Sequence, residues 1–495
     1  MNTLIYVFSS RNMMAEEKDE ILEGVLLEFE KLAAIPRPSG HERAVSDFLK
    51  KYLTDLGFSV TQDEVCNIIA DVPASKGFEK APLTVLQGHM DMVCVAEVGR
   101  SYDPLKDAIH LKRTSEFLEA CGTSLGADDG IGVAVAIYIA RTAKEHGPIR
   151  LIFTVDEERG MTGAIHLADK YLAGVDYLIN CDSENVDELT VGSAGSVDLT
   201  FHREISKKTV QGKRCYALEV KGLRGGHSGE RIGDGRGNAI RTLAMTLLAL
   251  QKEGTIELVQ FEGGTARNAI PSHAKSLFAT DMDESSIKRI LEDQKRRFLA
   301  IYGNADPSIE FSLTETATDA AALTTSDACQ LLHLLAVLHT GTYAMSKVTK
   351  GIETSANLGV VRMEENSITV EYFPRSSIDE KVDEFCIFAE TIGALTGFTA
   401  EIGTQSPGWK ENKESRLAKI MCDVFEEQNK KPMKVSSIHA GLECGWHMKK
   451  NSKIDMVSIG VTTRDIHSPK EHLLLSTVTP EVCLIEEVLK RIAKS

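Results

Sequence analysis

Short apolar strands alternate with helices at both ends of this chain, and a long segment of different character lies between them. In the first third, apolar runs at 83–86, 151–155 and 177–181 are separated by helical patterns at 41–57 and 131–144. Buried strands that alternate with helices are typical of a mostly parallel sheet covered by helices. The beginning of the chain therefore predicts an α/β domain.

The same alternation returns after residue 410, with helical patterns at 414–429 and 479–493. Between these regions, strand-like stretches are interleaved with four helical patterns, near 238–252, 285–302, 326–339 and 379–394. Their order, strand–helix–strand–strand–helix–strand twice, is typical of two ferredoxin-like units. A chain of 495 residues is also too long for one core. We therefore predict an α/β domain, with a mixed and mostly parallel sheet, at 1–195 and 405–495, interrupted by an α+β insertion at 196–404.

The overall charge restricts the classes of partner. With 56 basic and 72 acidic residues, the net charge of -16 argues against nucleic acid or an anionic membrane as partner. No apolar run approaches the length of a membrane span, and the run at 4–8 is too short for a typical signal peptide. Met13 or Met14 are alternative starts. Ten cysteines without a Cys-x-x-Cys pair predict reduced, mostly buried thiols and a cytoplasmic protein.

Acidic residues and a histidine follow the predicted strands directly, at the point where each strand ends. These residues are His89 and Asp91 after the first run, Glu157 and Glu158 after the second, and Asp182 after the third, while Asp128 and Asp129 begin the Ala-rich helix. Sites in open α/β sheets form at the carboxyl ends of the strands. We therefore expect these side chains to converge although they are distant in sequence.

This set of side chains suits hydrolysis by a pair of metal ions. Imidazole combined with several carboxylates favours zinc or a similar divalent ion, and two ions about 3.5–4 Å apart need a bridging carboxylate. The attacking water also needs a carboxylate that takes its proton and passes it to the leaving amine. Glu157 and Glu158 can divide these tasks, one as base and one as ligand. Asp91, two residues beyond His89, can orient the imidazole.

Each cluster alone has a simpler explanation. A His-x-Asp sequence is usually a hydrogen-bonded pair. Asp128 and Asp129 can cap a helix, Glu157 and Glu158 can lie in a solvated loop, and Asp182 can cap a turn. The coincidence of all four clusters at strand ends favours the metal site.

Six motifs together resemble the aminoacyl-histidine (Xaa-His) dipeptidases, a branch of the two-zinc aminopeptidase, carboxypeptidase and deacylase clan. The resemblance covers nearly the whole chain after about residue 17, and its motifs lie at 35–42, 88–91, 124–130, 156–164, 225–229 and 439–445. It implies a metallopeptidase with two divalent ions, zinc first and manganese or cobalt as alternatives.

The resemblance also implies a ligand set. His89, Asp128 and Asp182 would bind one metal, Asp128, Glu158 and His467 would bind the other, and Asp128 would bridge them. Glu157 would be the general base. His467 lies in a segment, 465–471, that resembles the family's last ligand motif, and His472 is the competing candidate. Related dipeptidases often have Asn after the bridging Asp, following a cis peptide; here the residue is Asp129.

For the insertion, the resemblance implies a lid and dimerisation domain, and hence a homodimer. His227 would stabilise the oxyanion, in cis or from a partner subunit, although without the family it is better explained as a loop histidine. Asn268, Arg375 and Gly441 match substrate-binding positions. Arg375 can bind a free terminal carboxylate through two hydrogen bonds.

The first hypothesis is therefore a dipeptidase that cleaves Xaa-His dipeptides such as β-Ala-His. A tripeptidase, a carboxypeptidase and an N-acyl amino acid deacylase of the same clan are alternatives, and the segment 441–445 and the long insertion favour the dipeptidase. A further alternative is a non-catalytic, metal-dependent peptide-binding protein. The presence of both Glu157 and Glu158 argues against it.

Overall fold

The computed structural model describes residues 19–210, 213–317 and 321–495. The apolar run at 4–8 and the alternative starts Met13 and Met14 lie outside the described residues. The chain forms two compact units. The described part of the first is 19–192, 411–436 and 446–495, and that of the second is 193–210, 213–317, 321–410 and 437–445. The return of 437–445 to the second unit was not predicted, and the catalytic and lid roles of the units stay predictions.

An eight-stranded mixed sheet forms the centre of the first unit. In spatial order its strands are Ser59–Gln62, Ile68–Val72, Ile149–Thr154, Thr84–His89, Tyr177–Asn180, Asp455–Ser458, Glu188–Ser193 and Lys434–Ile438. The third to sixth strands pair in parallel, and antiparallel pairs flank them. The predicted α/β fold is confirmed.

Helices supply the apolar faces that bury this sheet. The central strand Thr84–His89 is buried along its whole length, and the helix Ala127–Thr142 is buried at twelve of its sixteen positions. Because this strand is covered on both faces, its sequence shows no alternation of apolar and polar residues. The helices are 19–33, Arg43–Asp55, Ala127–Thr142, Glu157–Gly160, Thr162–His166, Arg416–Asn429, Glu443–Lys450 and Val478–Ala493.

A small antiparallel sheet completes the first unit. Its strands, in spatial order, are Thr463–Arg464, His472–Leu474, Phe117–Ala120 and Leu111–Arg113. The sequence patterns did not indicate it, because strands of two to four residues carry little periodicity.

The second unit is built on a nine-stranded antiparallel sheet. Eight strands follow one another as Glu310–Thr316, Arg214–Lys221, Ala274–Thr280, Ile256–Gly263, Ile352–Met363, Ser367–Ser376, Gly195–Glu204 and Thr399–Ser406, and Gly341–Met345 pairs with Ile352–Met363. Its longer helices are Ala239–Gln251, Glu284–Tyr302, Thr325–Val337 and Asp379–Thr396. Short pairs join Lys207–Lys208 to Ala322–Leu323 and Gly226–His227 to Ala269–Ile270.

The sheet contains the strand–helix–strand–strand–helix–strand order twice, and one copy lies inside the other. The copy that begins with Arg214–Lys221 is continuous in sequence. The other copy takes Gly195–Glu204 as its first strand and resumes only at Thr325–Val337. In both copies the fourth strand pairs with the first and the first with the third, which is the ferredoxin-like arrangement.

Two further features were predicted from composition. Among the described residues, no helix combines the length and hydropathy that crossing a membrane requires. All ten cysteines lie in the described part of the chain and are free thiols. The expectation that most are buried was wrong, since only Cys181, Cys215 and Cys444 are buried and the other seven cysteines are partly or fully exposed.

Candidate metal centre

The predicted ligands of the first unit lie at one edge of its sheet. His89 ends the strand Thr84–His89, and Asp182 lies two residues beyond the strand Tyr177–Asn180. These strands are parallel neighbours, so their carboxyl ends lie side by side. Asp128 reaches the same place from the start of the helix Ala127–Thr142.

The carboxylate of Asp128 lies between two histidines. Its Oδ1 is 3.2 Å from Nε2 of His89, and its Oδ2 is 3.1 Å from Nε2 of His467. Oε1 of Glu158 is 2.7 Å from the same His467 nitrogen, and Oδ1 of Asp182 is 3.7 Å from Nε2 of His89. The five predicted ligands therefore form two groups that share Asp128.

The donor set fits divalent cations. His89, Asp128 and Glu158 each offer a ligand atom, and these atoms lie within 4.8 Å of one another. With Asp182, three carboxylates gather around two imidazoles, at a place where none of the carboxylates is fully exposed. Such a concentration of negative charge is costly without cations, and oxygen and imidazole donors suit zinc and similar ions.

The electrostatics of the cluster point the same way. Hydrogen bonds with Asp128 and Glu158 raise the pKa of His467 to about 10. Burial opposes protonation of His89, but the charge of Asp182 and the hydrogen bond with Asp128 outweigh it and raise the pKa of His89 well above its usual value. Burial likewise opposes ionisation of Asp128, yet its two histidine partners hold its pKa below the usual range. The site therefore favours positive charge.

Asp91 links the strand of His89 to the helix of Glu157. Its Oδ1 is 3.3 Å from Nδ1 of His89, on the opposite side of the ring from Asp128. The same carboxylate accepts the backbone N–H groups of Glu157 at 3.1 Å and Glu158 at 3.3 Å, and the hydroxyl of Ser39 at 2.8 Å. One buried side chain thus lies beside the ring of a predicted ligand and binds the backbone of Glu157 and Glu158.

Asp156, the first of the three consecutive acids at 156–158, has a structural role. Asp156 has a left-handed backbone, with φ of 56°, at the turn before the helix Glu157–Gly160. Its side chain accepts a hydrogen bond from Arg159 at 2.8 Å and another from Thr162. Asp156 therefore shapes the turn, and its neighbour Glu158 is the acid that faces His467.

Asp129 does not cap the helix. Its backbone angles are non-helical, and the Asp128–Asp129 peptide is cis, as the resemblance implies. Its Oδ2 accepts the backbone N–H of His89 at 3.1 Å. Burial first, and then the charge of Asp182, raise its pKa well above the usual value. The side chain is tightly enclosed, because a Cβ on Gly132 would lie 2.1 Å from its Oδ1.

The structure brings His467, rather than His472, to Asp128. His472 lies in the strand His472–Leu474, where its Nδ1 is 3.0 Å from the carbonyl of Lys470 and its ring packs edge-on against Phe117. The residue types alone did not decide between His467 and His472. The conformation of the loop does.

Two buried charged residues near the site were not singled out from the sequence, although both lie in motif segments. Glu471 accepts the backbone N–H groups of 125–128, and Arg37 donates to the carbonyls of Met90, Asp91 and Gly126. Within the first motif, Glu42 also accepts the backbone N–H of Asp156 at 3.1 Å. The motif at 35–42 thus supports the site without supplying a ligand.

The remaining predicted residues lie in the second unit. His227 is half-buried in the short strand Gly226–His227, Asn268 is exposed before its partner strand, and Gly441 lies in the loop after His439. The carbonyl of Asn268 accepts the N–H of Ser228 at 2.8 Å.

Arg375 is the notable member of this group. It is 8% exposed, and its guanidinium lies 4.7 Å from the ring centre of Phe373. Among the described residues no carboxylate lies within 4 Å of it, and its Nε has no hydrogen-bond partner. Burial lowers its pKa to about 10. The charge of Asp198, which lies beyond 4 Å, opposes this shift. A buried cation that makes no ion pair with the described residues is costly and suits an anion.

The histidines near Arg375 are held neutral. Burial and the charge of Arg375 lower the pKa of His227, and they lower that of His439 to about 3. Nε2 of His439 is 2.6 Å from the hydroxyl of Ser355. This cluster therefore presents one cation and neutral rings.

Known proteins resemble this chain over most of its length. Residues 85–491 match the profile of "Peptidase family M20/M25/M40". The chain is 35% identical over 468 residues to the cytosol non-specific dipeptidase of Escherichia coli (strain K12), covering 94% of this chain and 96% of that protein. It also resembles the crystal structure of the aminoacylhistidine dipeptidase from Vibrio alginolyticus, with a TM-score of 0.90 and 34% identity over 94% of this chain and 96% of that one.

More distant structures share the fold alone. Aminopeptidase PepT from Bacillus cereus has a TM-score of 0.56 and 18% identity, covering 95% of this chain and 99% of that one.

Proposed function

The chain belongs to the peptidase family M20/M25/M40 and is therefore a peptidase, and we propose that it hydrolyses dipeptides, Xaa-His dipeptides such as β-Ala-His among them, with the help of two divalent metal ions. The observation that carries the metal part of this proposal is the position of Asp128. Its two oxygens face two different imidazoles at 3.2 and 3.1 Å, as a bridging carboxylate would.

His89, Asp128 and Asp182 would hold one ion, and Asp128, Glu158 and His467 the other. Zinc suits these donors best, and manganese and cobalt are alternatives. When bound, the ions would polarise the scissile carbonyl and lower the pKa of a water toward roughly 7. The remaining steps fall to the side chains.

Glu157 is the proposed general base. It takes the proton from the attacking water and delivers it to the leaving amine. The hydrogen bond of 3.1 Å from its backbone N–H to Asp91 fixes the backbone of Glu157, whose neighbour in sequence is the proposed ligand Glu158.

Asp91 is proposed to set the orientation of His89. By accepting a hydrogen bond from the Nδ1–H group, 3.3 Å away, it would leave Nε2 free to act as the ligand atom. The bonds from Glu157, Glu158 and Ser39 hold the carboxylate in the orientation that this requires.

The second unit is proposed to recognise the substrate. Arg375, a buried guanidinium that makes no ion pair within the described part of the chain, would bind the free terminal carboxylate of a dipeptide. His227 would donate a hydrogen bond to the oxyanion, and Asn268 and Gly441 would contact the peptide. A requirement for a free carboxylate near the scissile bond is one way to select dipeptides.

The names of the relatives support the substrate class. The Escherichia coli protein is called a non-specific dipeptidase and the Vibrio alginolyticus protein an aminoacylhistidine dipeptidase, and both are covered over 96% of their length. We therefore propose Xaa-His dipeptides as one group within a wider range. We also propose a cytoplasmic location, which the name of the Escherichia coli relative supports. We propose a homodimer because the insertion resembles the lid and dimerisation domain of the family.

A substrate panel tests this proposal. Hydrolysis of β-Ala-His, Ala-His, Ala-Ala, the tripeptide Ala-Ala-His and N-acetylalanine would be compared before chelation, after chelation, and after addition of zinc, manganese or cobalt. We expect the dipeptides to be cleaved, the other compounds to be poor substrates, and chelation to abolish turnover reversibly. Preference for the tripeptide or for N-acetylalanine, or activity that survives complete metal removal, would overturn it.

A further inference from the structure

A buried carboxylate grips the backbone that leads to Asp128. Oε2 of Glu471 accepts the N–H groups of Leu125 at 2.8 Å and Gly126 at 2.9 Å, and Oε1 accepts those of Ala127 at 2.8 Å and Asp128 at 3.2 Å. Glu471 is 2% exposed. An ionised carboxylate can only accept hydrogen bonds, so both oxygens are fully used by this one turn.

A buried guanidinium holds the carbonyl side of the same turn. Arg37, 1% exposed, contacts the carbonyl of Gly126 through Nη2 at 2.5 Å. Its Nη1 donates to the carbonyls of Met90 at 3.1 Å and Asp91 at 3.0 Å, just beyond His89. Arg37 therefore ties the turn before Asp128 to the segment that carries the other histidine ligand.

Gly126 is where the two charged groups meet. Its N–H binds Glu471 and its carbonyl binds Arg37. Its φ is 68°, and a Cβ at this position would lie 2.6 Å from Nη2 of Arg37. The turn thus requires glycine both for its left-handed backbone and for the approach of the guanidinium.

We propose that Glu471 and Arg37 are positioning residues of the metal centre: they fix the backbone of 125–128 so that Asp128 directs one oxygen to each histidine. Neither residue is a ligand in this scheme. The inference rests on the proposed function through the metal pair alone, and it holds whichever peptide is cleaved.

The local backbone explains why this turn needs external partners. Asp128 and Asp129 have non-helical angles, with ψ of 112° and 28°, so the helix that follows does not begin in the regular way. The first amides of a helix have no partner within it, and a buried N–H group without a partner is unfavourable. Four such groups end on Glu471, and without it the turn would be free to relax.

Glu471 and the predicted ligand His467 lie in one loop. Glu471 follows His467 by four residues, and the loop that carries both has left-handed backbone at Asp465, with φ of 52°, and at His467, with φ of 56°. Placing Glu471 under the turn therefore also places His467 beside Asp128. Two segments more than 300 residues apart in sequence are fixed to each other at the ligand atoms.

The test compares Glu471→Gln with wild type in the apoprotein and in the metal-loaded enzyme. Glutamine keeps the shape but only one acceptor oxygen. We expect zinc affinity, measured by calorimetry on the apoprotein, to fall by about 10- to 100-fold. Hydrogen exchange should accelerate in peptides covering 125–128. In the loaded enzyme kcat should fall with little change in KM, and Glu471→Asp, which keeps both oxygens, should restore part of the affinity.

Glu28→Gln is the matched control. Glu28 is 1% exposed, lies in the same unit, and bonds Lys31, Tyr52 and Arg141. Arg141 is at the far end of the helix that Asp128 begins. This variant should lower the melting temperature and leave zinc affinity unchanged.

Wild-type zinc affinity and unchanged exchange at 125–128 in Glu471→Gln would overturn the proposal, as would an equal loss of affinity in Glu28→Gln. If Glu471→Gln does not fold, Arg37→Lys carries the test, because it leaves the four bonds to Glu471 in place and should weaken zinc binding by a smaller factor. Unchanged zinc affinity in Arg37→Lys would count against the positioning role of Glu471 and Arg37. A wild-type protein that binds zinc but cleaves no dipeptide would refute the proposed function and not this inference.

Discussion

Each unit has a polar cluster that contains two histidines, and the electrostatic environments of the two clusters are opposite. The metal cluster of the first unit comprises His89, Asp128, Glu158, Asp182 and His467, and the anion cluster of the second comprises His227, Arg375 and His439. Carboxylates raise the pKa of both histidines of the metal cluster. Burial and Arg375 lower the pKa of both histidines of the anion cluster.

The difference shows that neighbours, rather than residue type, decide what a histidine does. The metal cluster concentrates negative charge and suits cations. The anion cluster offers a guanidinium and neutral rings, and suits a carboxylate or an oxyanion. The proposed hydrolysis of a dipeptide would use both kinds of environment, one to hold the cations and one to bind the terminal carboxylate.

The largest effect is expected from Glu157→Ala, which tests whether the metal cluster has a base distinct from its ligands. We expect kcat on Ala-His to fall by about 10²- to 10⁴-fold, since general base catalysis is lost. Metal content, measured by elemental analysis, should stay at the wild-type level. Glu158→Ala is the control and should lose metal. Full activity of Glu157→Ala would remove the assigned role.

The anion cluster is tested by Arg375→Met. A charged hydrogen bond contributes about 1.5–3 kcal/mol, so kcat/KM for Ala-His should fall by about 10- to 100-fold. The C-terminal amide of Ala-His has no carboxylate to lose, and its slower hydrolysis should change little. Equal losses for both substrates would show that Arg375 acts on the fold instead.

Metal removal should destabilise the protein through the metal cluster alone. Saturation at about 1,000 times the dissociation constant stabilises a folded protein by about 4 kcal/mol. We therefore expect chelation to lower the melting temperature and zinc to restore it, in wild type and in Arg375→Met alike. The shift should shrink in Asp182→Asn. A melting temperature indifferent to chelation in wild type would contradict the assignment.

The smallest effect concerns Glu481, which shows what burial alone does to an acid of the first unit. It is 1% exposed, neither oxygen has a hydrogen-bond partner among the residues that the structure describes, and burial raises its pKa from 4.5 to about 8. Between these values the unfolded chain releases the proton and the folded chain keeps it, so this group makes stability fall as pH rises. Glu481→Gln should melt at a higher temperature than wild type at pH 9, with a smaller difference at pH 5. Parallel curves would contradict this.

Much of the site could be predicted because its residues follow buried strands. His89 ends a strand, and Asp182 and Glu158 follow strands by two and four residues, at the edge where a parallel sheet brings side chains together whatever their separation in sequence. The nested order of the second unit could not be predicted, because no pattern indicates that Gly195–Glu204 pairs with a strand beginning at Ser367.

Loop residues were harder to assign. His467 and His472 are equally good ligands by type, and only the left-handed backbone at Asp465 and His467 decides which one turns to Asp128. Glu471 and Arg37 give no signal of their own, since a charged residue that binds distant backbone groups looks like any surface residue in sequence. Their presence inside the motifs was the available clue.

The central claim is that scattered acids and histidines of the first unit hold two adjacent cations through Asp128. Elemental analysis of wild type and Asp128→Ala after dialysis tests it most directly. The account predicts two ions per wild-type chain and the loss of both in the variant, because each depends on one Asp128 oxygen. Wild-type metal content in Asp128→Ala, or a wild-type chain that retains none after zinc loading, would contradict it.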